Sequence, residues 1–272
     1  MRRRLLAAAL LAAGGLLTYA VYVVAGLPSR DEVRVLARRN PGKTALMRQR
    51  EEEARARGRR PRSVQSWIPL ERVSRNLIQA VIASEDQRFF GHEGVDWEAV
   101  QESVEANVKK RRAARGGSTI TQQLAKNLYL SPSKNPLRKI RELFIARRLE
   151  AELGKTRILE LYLNVIEWGD GVYGVEAAAR TYFGVSAGDL GPPQAALLAG
   201  AIINPRTYSP ARPTARLRAR QQLILRRMGS VTPPPALPAV APVPAPLVPV
   251  PLTPFDPSIL PGAAPPRGRG GG

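Results

Sequence analysis

Apolar residues recur at helical spacing along the middle of the chain. They lie three and four residues apart in 73–82, 137–153, 158–165 and 195–203. This spacing puts the apolar side chains on one face of a helix. Alternating patterns with hairpin turns are scarce, so the sequence predicts a mostly α domain over residues 67–228.

An uncharged segment precedes this domain. Residues 5–27 are 23 consecutive residues without a charge, and they follow Arg2, Arg3 and Arg4. A helix of that length spans a hydrocarbon core of about 30 Å, whereas the apolar region of a cleaved signal peptide has only about 7 to 15 residues. We therefore predict that residues 1–27 form a cytoplasmic tip and an uncleaved transmembrane anchor.

Two further segments lack the pattern of a packed core. Residues 28–66 contain the run RQREEEARARGRRPR without an apolar stripe, which predicts an exposed charged stalk. Residues 229–272 are rich in Pro and Gly, and 14 of the chain's 25 prolines lie in 231–272. That composition favours extended polyproline conformations and predicts a disordered tail.

The composition narrows the chemistry. The chain has 272 residues, with 42 Lys and Arg against 22 Asp and Glu, a formal net charge of +20, no Cys and one His. It therefore has no disulfide scaffold, zinc ribbon, catalytic cysteine or multi-histidine metal site. The positive charge calls for an anionic partner, and nucleic acid, an anionic membrane surface and a phosphate-bearing substrate all qualify.

One glutamate falls on an apolar stripe near the start of the domain. Glu85 follows Leu77, Ile78 and Val81 by eight, seven and four residues, which places it near the middle of the buried face. A buried glutamate needs a partner, because desolvation disfavours its ionised form. The alternative is that the helix frays after Ser84 and leaves Glu85 as a capping or solvated residue.

A second glutamate continues the stripe of another predicted helix. Glu142 lies in 137–153, with Arg138 and Lys139 on the same side. These cations would hold its carboxylate charged, although an ordinary surface salt bridge, worth about 0.3 to 0.5 kcal/mol, has the same pattern. Two inward carboxylates on separate helices suggest acid/base chemistry at a glycosidic centre.

Between the two glutamates lies a polar segment, GGSTITQQLAKNLYL, at residues 116–130. A helix N-terminus, the hydroxyls of Ser118 and Thr119, and Lys126 would together favour an anion such as phosphate. The spacing is not that of a P-loop. A capped helix after a glycine turn explains the pattern equally well.

Five ordered motifs make the domain recognisable. They are EDQRFFGHEG at 85–94, GGSTITQQLAKN at 116–127, RKIRE at 138–142, KTRILELYLN at 155–164 and GDGVYGVEAAARTYFG at 169–184. With them the chain resembles the family 51 glycosyltransferases, the peptidoglycan polymerases that also form the N-terminal domain of class A penicillin-binding proteins. No transpeptidase domain follows in this sequence, so the resemblance is to the monofunctional biosynthetic transglycosylases.

The resemblance implies a fold, a reaction and a location. The fold is mostly α and lysozyme-like. The reaction polymerises lipid II into β-1,4-linked glycan strands with inversion and release of undecaprenyl pyrophosphate. The location is the cytoplasmic (inner) membrane, with a single-pass anchor and the catalytic domain on the outer, periplasmic face. The implied partners are lipid II, the growing glycan strand, membrane lipid, and transpeptidases or other wall-synthesis proteins, but not nucleic acid.

The resemblance also implies residue roles. Glu85 would be the general base that deprotonates the 4-hydroxyl of the incoming sugar. Glu142 would assist departure of the pyrophosphate, directly or through a divalent cation such as Mg²⁺ or Mn²⁺, with no organic cofactor. The residues implied for substrate or pyrophosphate binding are Lys126, Lys134, Arg138, Ser118, Thr119, Gln122 and Gln123. The residues implied to support the motifs are Asp86, His92 and Asn164.

Two other functions remain open at this stage. A lytic glycosidase of similar fold would share the glutamates but would not need Lys126, Lys134 and Arg138 for a pyrophosphate. A membrane-tethered nucleic-acid-binding protein would use the +20 charge, but the aromatic content is only 6% and no stacking or recognition-helix motif stands out.

Overall fold

A computed structural model describes residues 1–110, 117–130 and 137–229 of the chain. These residues form eleven α-helices, three single-turn 3₁₀ helices and three short strands, so the predicted mostly α class is confirmed. In chain order the elements are α1 (Arg2–Ala25), α2 (Arg30–Val35), α3 (Ala45–Ala56), β1 (Val64–Gln65), α4 (Arg75–Glu85), α5 (Trp97–Lys110), α6 (Ile120–Tyr129), α7 (Leu137–Glu152), α8 (Lys155–Val165), β2 (Glu167–Gly169), β3 (Val172–Tyr173), α9 (Val175–Phe183), α10 (Pro192–Ala201) and α11 (Ala215–Met228).

The core forms where the predicted apolar stripes meet. Helix α4 packs against α10 and α11, and α6 packs against α7 and α8. Leu77, Ile78 and Val81, the predicted inner face of α4, are fully buried. Burial of each such side chain is worth about 1.5 to 3 kcal/mol, so these stripes supply much of the energy that fixes the helices around the centre of the domain.

A small sheet joins the start of the domain to its second half. β3 lies between the other two strands, parallel to β1 and antiparallel to β2. Gly171 lies in the turn between β2 and β3 with a φ of 69°. A Cβ atom there would come within 2.4 Å of the Arg62 carbonyl oxygen, so both the backbone conformation and the close approach require glycine.

The segment predicted as an exposed stalk is folded onto the domain, which corrects that prediction. Within 28–66, Val33 and Met47 are buried, α2 packs against α7, and α3 packs against α6. The Nε atom of Arg50 on α3 donates to Oε2 of Glu167 over 2.9 Å. These partners in α6, α7 and β2 are all distant in sequence, with Glu167 lying 117 positions after Arg50, so the local charge pattern did not reveal them.

The structure describes the uncharged N-terminal segment but only the first residue of the predicted tail. Most of the uncharged N-terminal segment lies in α1, Arg2–Ala25. Among the described residues, no helix meets the length and hydropathy needed to cross a membrane. The predicted tail, 229–272, lies outside the described residues except for Gly229, which follows α11.

Candidate active site

Glu85 is the last residue of α4 and faces inward. Asp86 then takes an extended backbone conformation, with a φ of −164°, and the helix ends. The Glu85 side chain is only 11% exposed, so the predicted buried position is confirmed and the solvated alternative is wrong. The helix therefore presents this carboxylate at its C-terminal end, fixed by the packing of the turns before it.

Three side chains donate hydrogen bonds to the Glu85 carboxylate. Oε1 accepts from the Ser84 hydroxyl at 2.9 Å and from the Arg220 guanidinium at 3.3 Å. Oε2 accepts from the amide nitrogen of Gln123 at 3.0 Å. An ionised carboxylate only accepts hydrogen bonds, so these three donors match it and hold Glu85 in one orientation.

The Gln123 amide also accepts a hydrogen bond through its oxygen. Its oxygen accepts a hydrogen bond of 3.0 Å from the phenol of Tyr162, a fully buried residue of α8. Burial raises the pKa of Tyr162 well above its ordinary value, and the nearby charges of Glu85 and Asp86 raise it further. The phenol therefore keeps its proton at working pH.

Glu142 lies on α7 among cations and is also buried, with 5% of its side chain exposed. Nζ of Lys139 contacts Oε1, and a guanidinium nitrogen of Arg138 lies 3.9 Å from Oε2. The predicted arrangement of these two cations is confirmed. Lys139 also donates to the Ser118 hydroxyl at 2.9 Å and to the Gln122 amide oxygen at 3.2 Å, which ties α7 to the start of α6.

Both carboxylates affect the pKa of Lys126 on α6. Partial desolvation lowers the pKa of its ammonium, as do Arg138 and Lys139, while Glu142 and Glu85 raise it. The net effect is a lowered pKa, although the residue as a whole remains accessible to solvent. The ammonium thus lies within electrostatic reach of both candidate catalytic groups.

Asp86 and Thr119 organise the start of α6. Oδ2 of Asp86 accepts from the backbone nitrogen of Ile120 at 3.0 Å, and Asp86 also pairs with Nε2 of His92 at 2.9 Å. The Thr119 hydroxyl accepts from the backbone nitrogen of Gln122 at 3.2 Å and donates to a backbone carbonyl at 2.7 Å. The capped-helix interpretation therefore holds for buried Thr119, whose hydroxyl is fully used within the protein.

Asn164 lies away from the two glutamates and joins α8 to the chain before α4. Its side-chain oxygen accepts from the Ile68 nitrogen at 2.9 Å, and its amide nitrogen donates to the carbonyls of Ile68 and Glu160, each at 2.8 Å. Its contacts are those of a structural residue, in keeping with the predicted support role. Lys134 falls outside the described residues.

Comparison with known proteins decides the family. The family model described as Transglycosylase matches residues 51–229, which include the helices that carry both glutamates. The chain belongs to the transglycosylase family. The predicted family and the predicted class of enzyme, a glycosyltransferase, are thereby confirmed.

Relatives of this transglycosylase match over most of their length. It is 52% identical over 191 residues to a biosynthetic peptidoglycan transglycosylase of Janthinobacterium sp. (strain Marseille), covering 70% of this chain and 83% of the relative. A protein of the same name from Herminiimonas arsenicoxydans is 51% identical over 191 residues, with the same coverage. Another from Bordetella pertussis (strain Tohama I) is 51% identical over 201 residues, covering 72% and 82%.

The sequence interpretation missed Arg220 as a site residue of this transglycosylase. Arg220 lies on α11, 135 residues from the glutamate to which it donates. The signal was present, because Arg220 lies three residues after Leu217 and four before Ile224, both buried. An arginine on the apolar stripe of a helix needs an internal partner, as a glutamate does.

The described residues do not supply a ready divalent-cation site at either glutamate. Their only group of three potential ligands consists of Asp86, His92 and Asp96, within 4.8 Å of one another. Both Asp96 oxygens accept from the Arg88 guanidinium, at 2.9 and 3.1 Å. Asp86 already accepts from the Ile120 nitrogen and pairs with His92. These three residues therefore have the contacts of a structural network.

Proposed function

We propose that this transglycosylase polymerises lipid II into β-1,4-linked glycan strands. Glu85 removes the proton from the 4-hydroxyl of the incoming sugar, and the resulting oxygen attacks the anomeric carbon of the lipid-linked strand. The bond from that carbon to the pyrophosphate breaks, and undecaprenyl pyrophosphate leaves with the electron pair. Attack opposite to the leaving group inverts the anomeric configuration.

The observation that carries this proposal is the different surroundings of the two carboxylates. Glu85 accepts hydrogen bonds from two neutral donors and one guanidinium. Glu142 lies beside Lys139 and Arg138, with Lys126 in electrostatic range. A cationic cluster stabilises the negative charge that develops on a departing pyrophosphate, while a lytic glycosidase has no such leaving group.

On the pyrophosphate side we assign the charge stabilisation to α6 and α7. Lys126, Arg138 and Lys139 face the leaving group, and Ser118 and Gln122 add hydrogen bonds. Lys139 joins the residues implied by the sequence because it already bridges Glu142, Ser118 and Gln122. Lys134 has the same proposed role from the sequence alone.

The divalent cation stays a prediction. Since cationic side chains already face both oxygens of Glu142, a Mg²⁺ or Mn²⁺ ion there would take most of its oxygen ligands from the substrate pyrophosphate. Such an ion would polarise the phosphoryl oxygens when bound. Titration of activity with a chelator, followed by Mg²⁺ or Mn²⁺, measures whether the ion is required.

The deciding experiment incubates detergent-solubilised full-length protein with labelled lipid II, beside a Glu85→Gln variant. Polymer from the wild type and none from the variant is the expected result. Equal polymer from both would remove Glu85 as the base. Shortening of preformed glycan, without polymer formation, would replace the proposal with a lytic glycosidase.

Membrane attachment is proposed on the sequence of residues 5–27, a 23-residue run without charge behind three arginines. A membrane-bound enzyme would meet lipid II in the membrane where that lipid resides. Its catalytic domain would lie on the periplasmic face, and transpeptidases and other wall-synthesis proteins would be its neighbours. Retention of the protein in membranes washed at alkaline pH tests attachment. Its release into the wash would contradict the anchor.

A further inference from the structure

Tyr162 is a buried group to which the proposed reaction assigns no task. It lies on α8, its ring is fully buried, and its hydroxyl donates to the amide oxygen of Gln123 over 3.0 Å. The amide nitrogen of Gln123 donates onward to Oε2 of Glu85, also over 3.0 Å. A chain of two hydrogen bonds therefore leads from the core of the domain to the carboxylate at the end of α4.

The polarity of this chain follows from the groups themselves. An ionised carboxylate only accepts hydrogen bonds, so the NH₂ end of the amide must face Glu85. The amide oxygen then faces Tyr162, which donates its single phenolic proton. If the amide were reversed, its oxygen would face a carboxylate oxygen, and neither atom would have a proton to share.

We propose that Tyr162 is a positioning residue that fixes the Gln123 amide so that it donates to Glu85 and favours the charged form of that carboxylate. This inference rests on the proposed function, in which Glu85 is the general base. Tyr162 acts only through Gln123, because the phenol bonds to the amide oxygen and not to the carboxylate. Gln123 is thereby assigned to the base rather than to the pyrophosphate.

Other charged groups also act on Glu85 and define how large the effect can be. Arg220 of α11 contacts the carboxylate directly, and the ammonium of Lys126 on α6 lies within electrostatic range. Asp86 adds a negative charge next in the chain. All three remain when the phenol is removed, so loss of the Tyr162 hydroxyl changes the protonation of the base partially and does not abolish it.

The test is the pH dependence of lipid II polymerisation by the full-length Tyr162→Phe variant. The acid limb of kcat/KM reports protonation of the base in the free enzyme. Without the phenol the amide is free to turn, and we expect this limb to move to higher pH by about 0.5 to 1 unit, a loss of roughly threefold to tenfold on that limb that is recovered at higher pH. An acid limb that stays in place would overturn the proposal.

Tyr173 provides a matched control. It is also a buried tyrosine, and its hydroxyl has no hydrogen-bond partner among the described residues. Tyr173→Phe makes the same chemical change elsewhere in the core, so its acid limb should coincide with that of the wild type. An equal shift in both variants would mean that the Tyr162 effect is not specific to the hydrogen-bond chain.

A double-mutant cycle tests whether the effect passes through the amide. In a Gln123→Leu background, which by itself should also raise the acid limb, Tyr162→Phe should cause no further shift. Independent, additive shifts would contradict the relay. Absence of polymer from the wild type would instead refute the proposed function, so the two failures are distinguishable, and thermal unfolding of each variant verifies that it is folded.

Discussion

Arg220 connects the candidate base to a helix near the end of the domain. Its guanidinium donates to Glu85 and also to the Ser84 hydroxyl, at 3.3 and 3.0 Å. We predict that Arg220→Ala lowers kcat/KM by about tenfold to a hundredfold, a loss of about 1.4 to 2.7 kcal/mol in transition-state stabilisation, because the candidate base loses its charged donor. Steady-state polymerisation of lipid II measures the loss.

The same helix offers the control for that change. Arg218 lies two residues away on α11 and is exposed, so Arg218→Ala removes an equal charge without touching Glu85. It should retain near wild-type activity. A similar loss in both variants would mean that net charge on α11, and not the contact with Glu85, explains the effect.

The lowered pKa of Lys126 has a consequence for the alkaline side of the pH profile. Desolvation and the neighbouring Arg138 and Lys139 make this ammonium lose its proton at a lower pH than an ordinary lysine, whose pKa is about 10.4. The cation needed for the leaving group is present below that pKa and is lost as the pH rises through it. We predict that Lys126→Arg extends the alkaline limb of kcat upward, because arginine stays protonated.

Lys126→Ala should lose most of its activity at every pH while remaining folded. Lys43 is an exposed lysine just before α3. The variant Lys43→Arg serves as the control and should leave the alkaline limb in place. An unchanged limb in Lys126→Arg, together with substantial activity, would show that another group sets the alkaline side.

At the scale of elements, an ion pair holds α3 against β2. Burial raises the pKa of Glu167, and the Arg50 charge and a backbone donor from Gly171 lower it, with burial prevailing. A carboxyl with a raised pKa binds more protons in the folded state, so stability falls as pH rises from about 4.3 through the folded pKa. Arg50→Met removes the compensating charge, and we predict a loss of about 2 to 4 kcal/mol in the free energy of unfolding at pH 8.

The loss should be much smaller at pH 4, where protonation of Glu167 removes the uncompensated charge. Denaturant unfolding at both pH values measures the difference. Arg55→Met is the control, since Arg55 pairs with Glu51 on the surface and such pairs contribute little. Equal losses at the two pH values would show that packing of the Arg50 stem, and not its charge, holds α3.

The elements that sequence periodicity predicted are those whose stability comes from their own apolar stripes. Predicted helices 73–82, 137–153, 158–165 and 195–203 correspond to α4, α7, α8 and α10, with differences of a few residues at the ends. The packing of α2 and α3 could not be read in the same way. Their partners in α6, α7 and β2 are distant in sequence, and Glu167 lies 117 residues after Arg50. A charged helix carries no local sign of where such ion pairs will form.

The candidate site also contains residues that a local pattern reveals and residues whose contacts depend on the packing of distant helices. Glu85 and Glu142 were found because each lies on the apolar stripe of its own helix. The local sequence pattern is enough to reveal such a position. Arg220 and Tyr162 were not assigned, because their functional contacts depend on how α11 and α8 pack against α4 and α6. Local chemistry therefore located the two carboxylates and the cations beside Glu142, while the hydrogen bonds of Arg220 to Glu85 and of Tyr162 to Gln123 required the fold.

At the scale of the whole molecule, the formal charge of +20 acts on an anionic substrate before any contact forms. Screening shortens the range of that attraction from about 10 Å at 0.1 M salt to about 3 Å at 1 M. We predict that kcat/KM for lipid II in neutral detergent falls by roughly threefold to tenfold over this range, with most of the change in KM, because association rates of steered partners depend on ionic strength.

Three exposed arginines allow the global charge to be separated from the active site. Arg59, Arg60 and Arg62 lie before β1 and are not among the residues that contact either glutamate. Replacing all three with Gln removes three charges and should raise KM at low salt and flatten the salt dependence, while kcat stays unchanged. Replacing them with Lys retains the charge and should reproduce the wild-type curve. If the Gln and Lys variants have the same salt dependence, steering comes from the cations around Glu142 alone, and the remaining positive charge of the molecule serves another purpose than substrate capture.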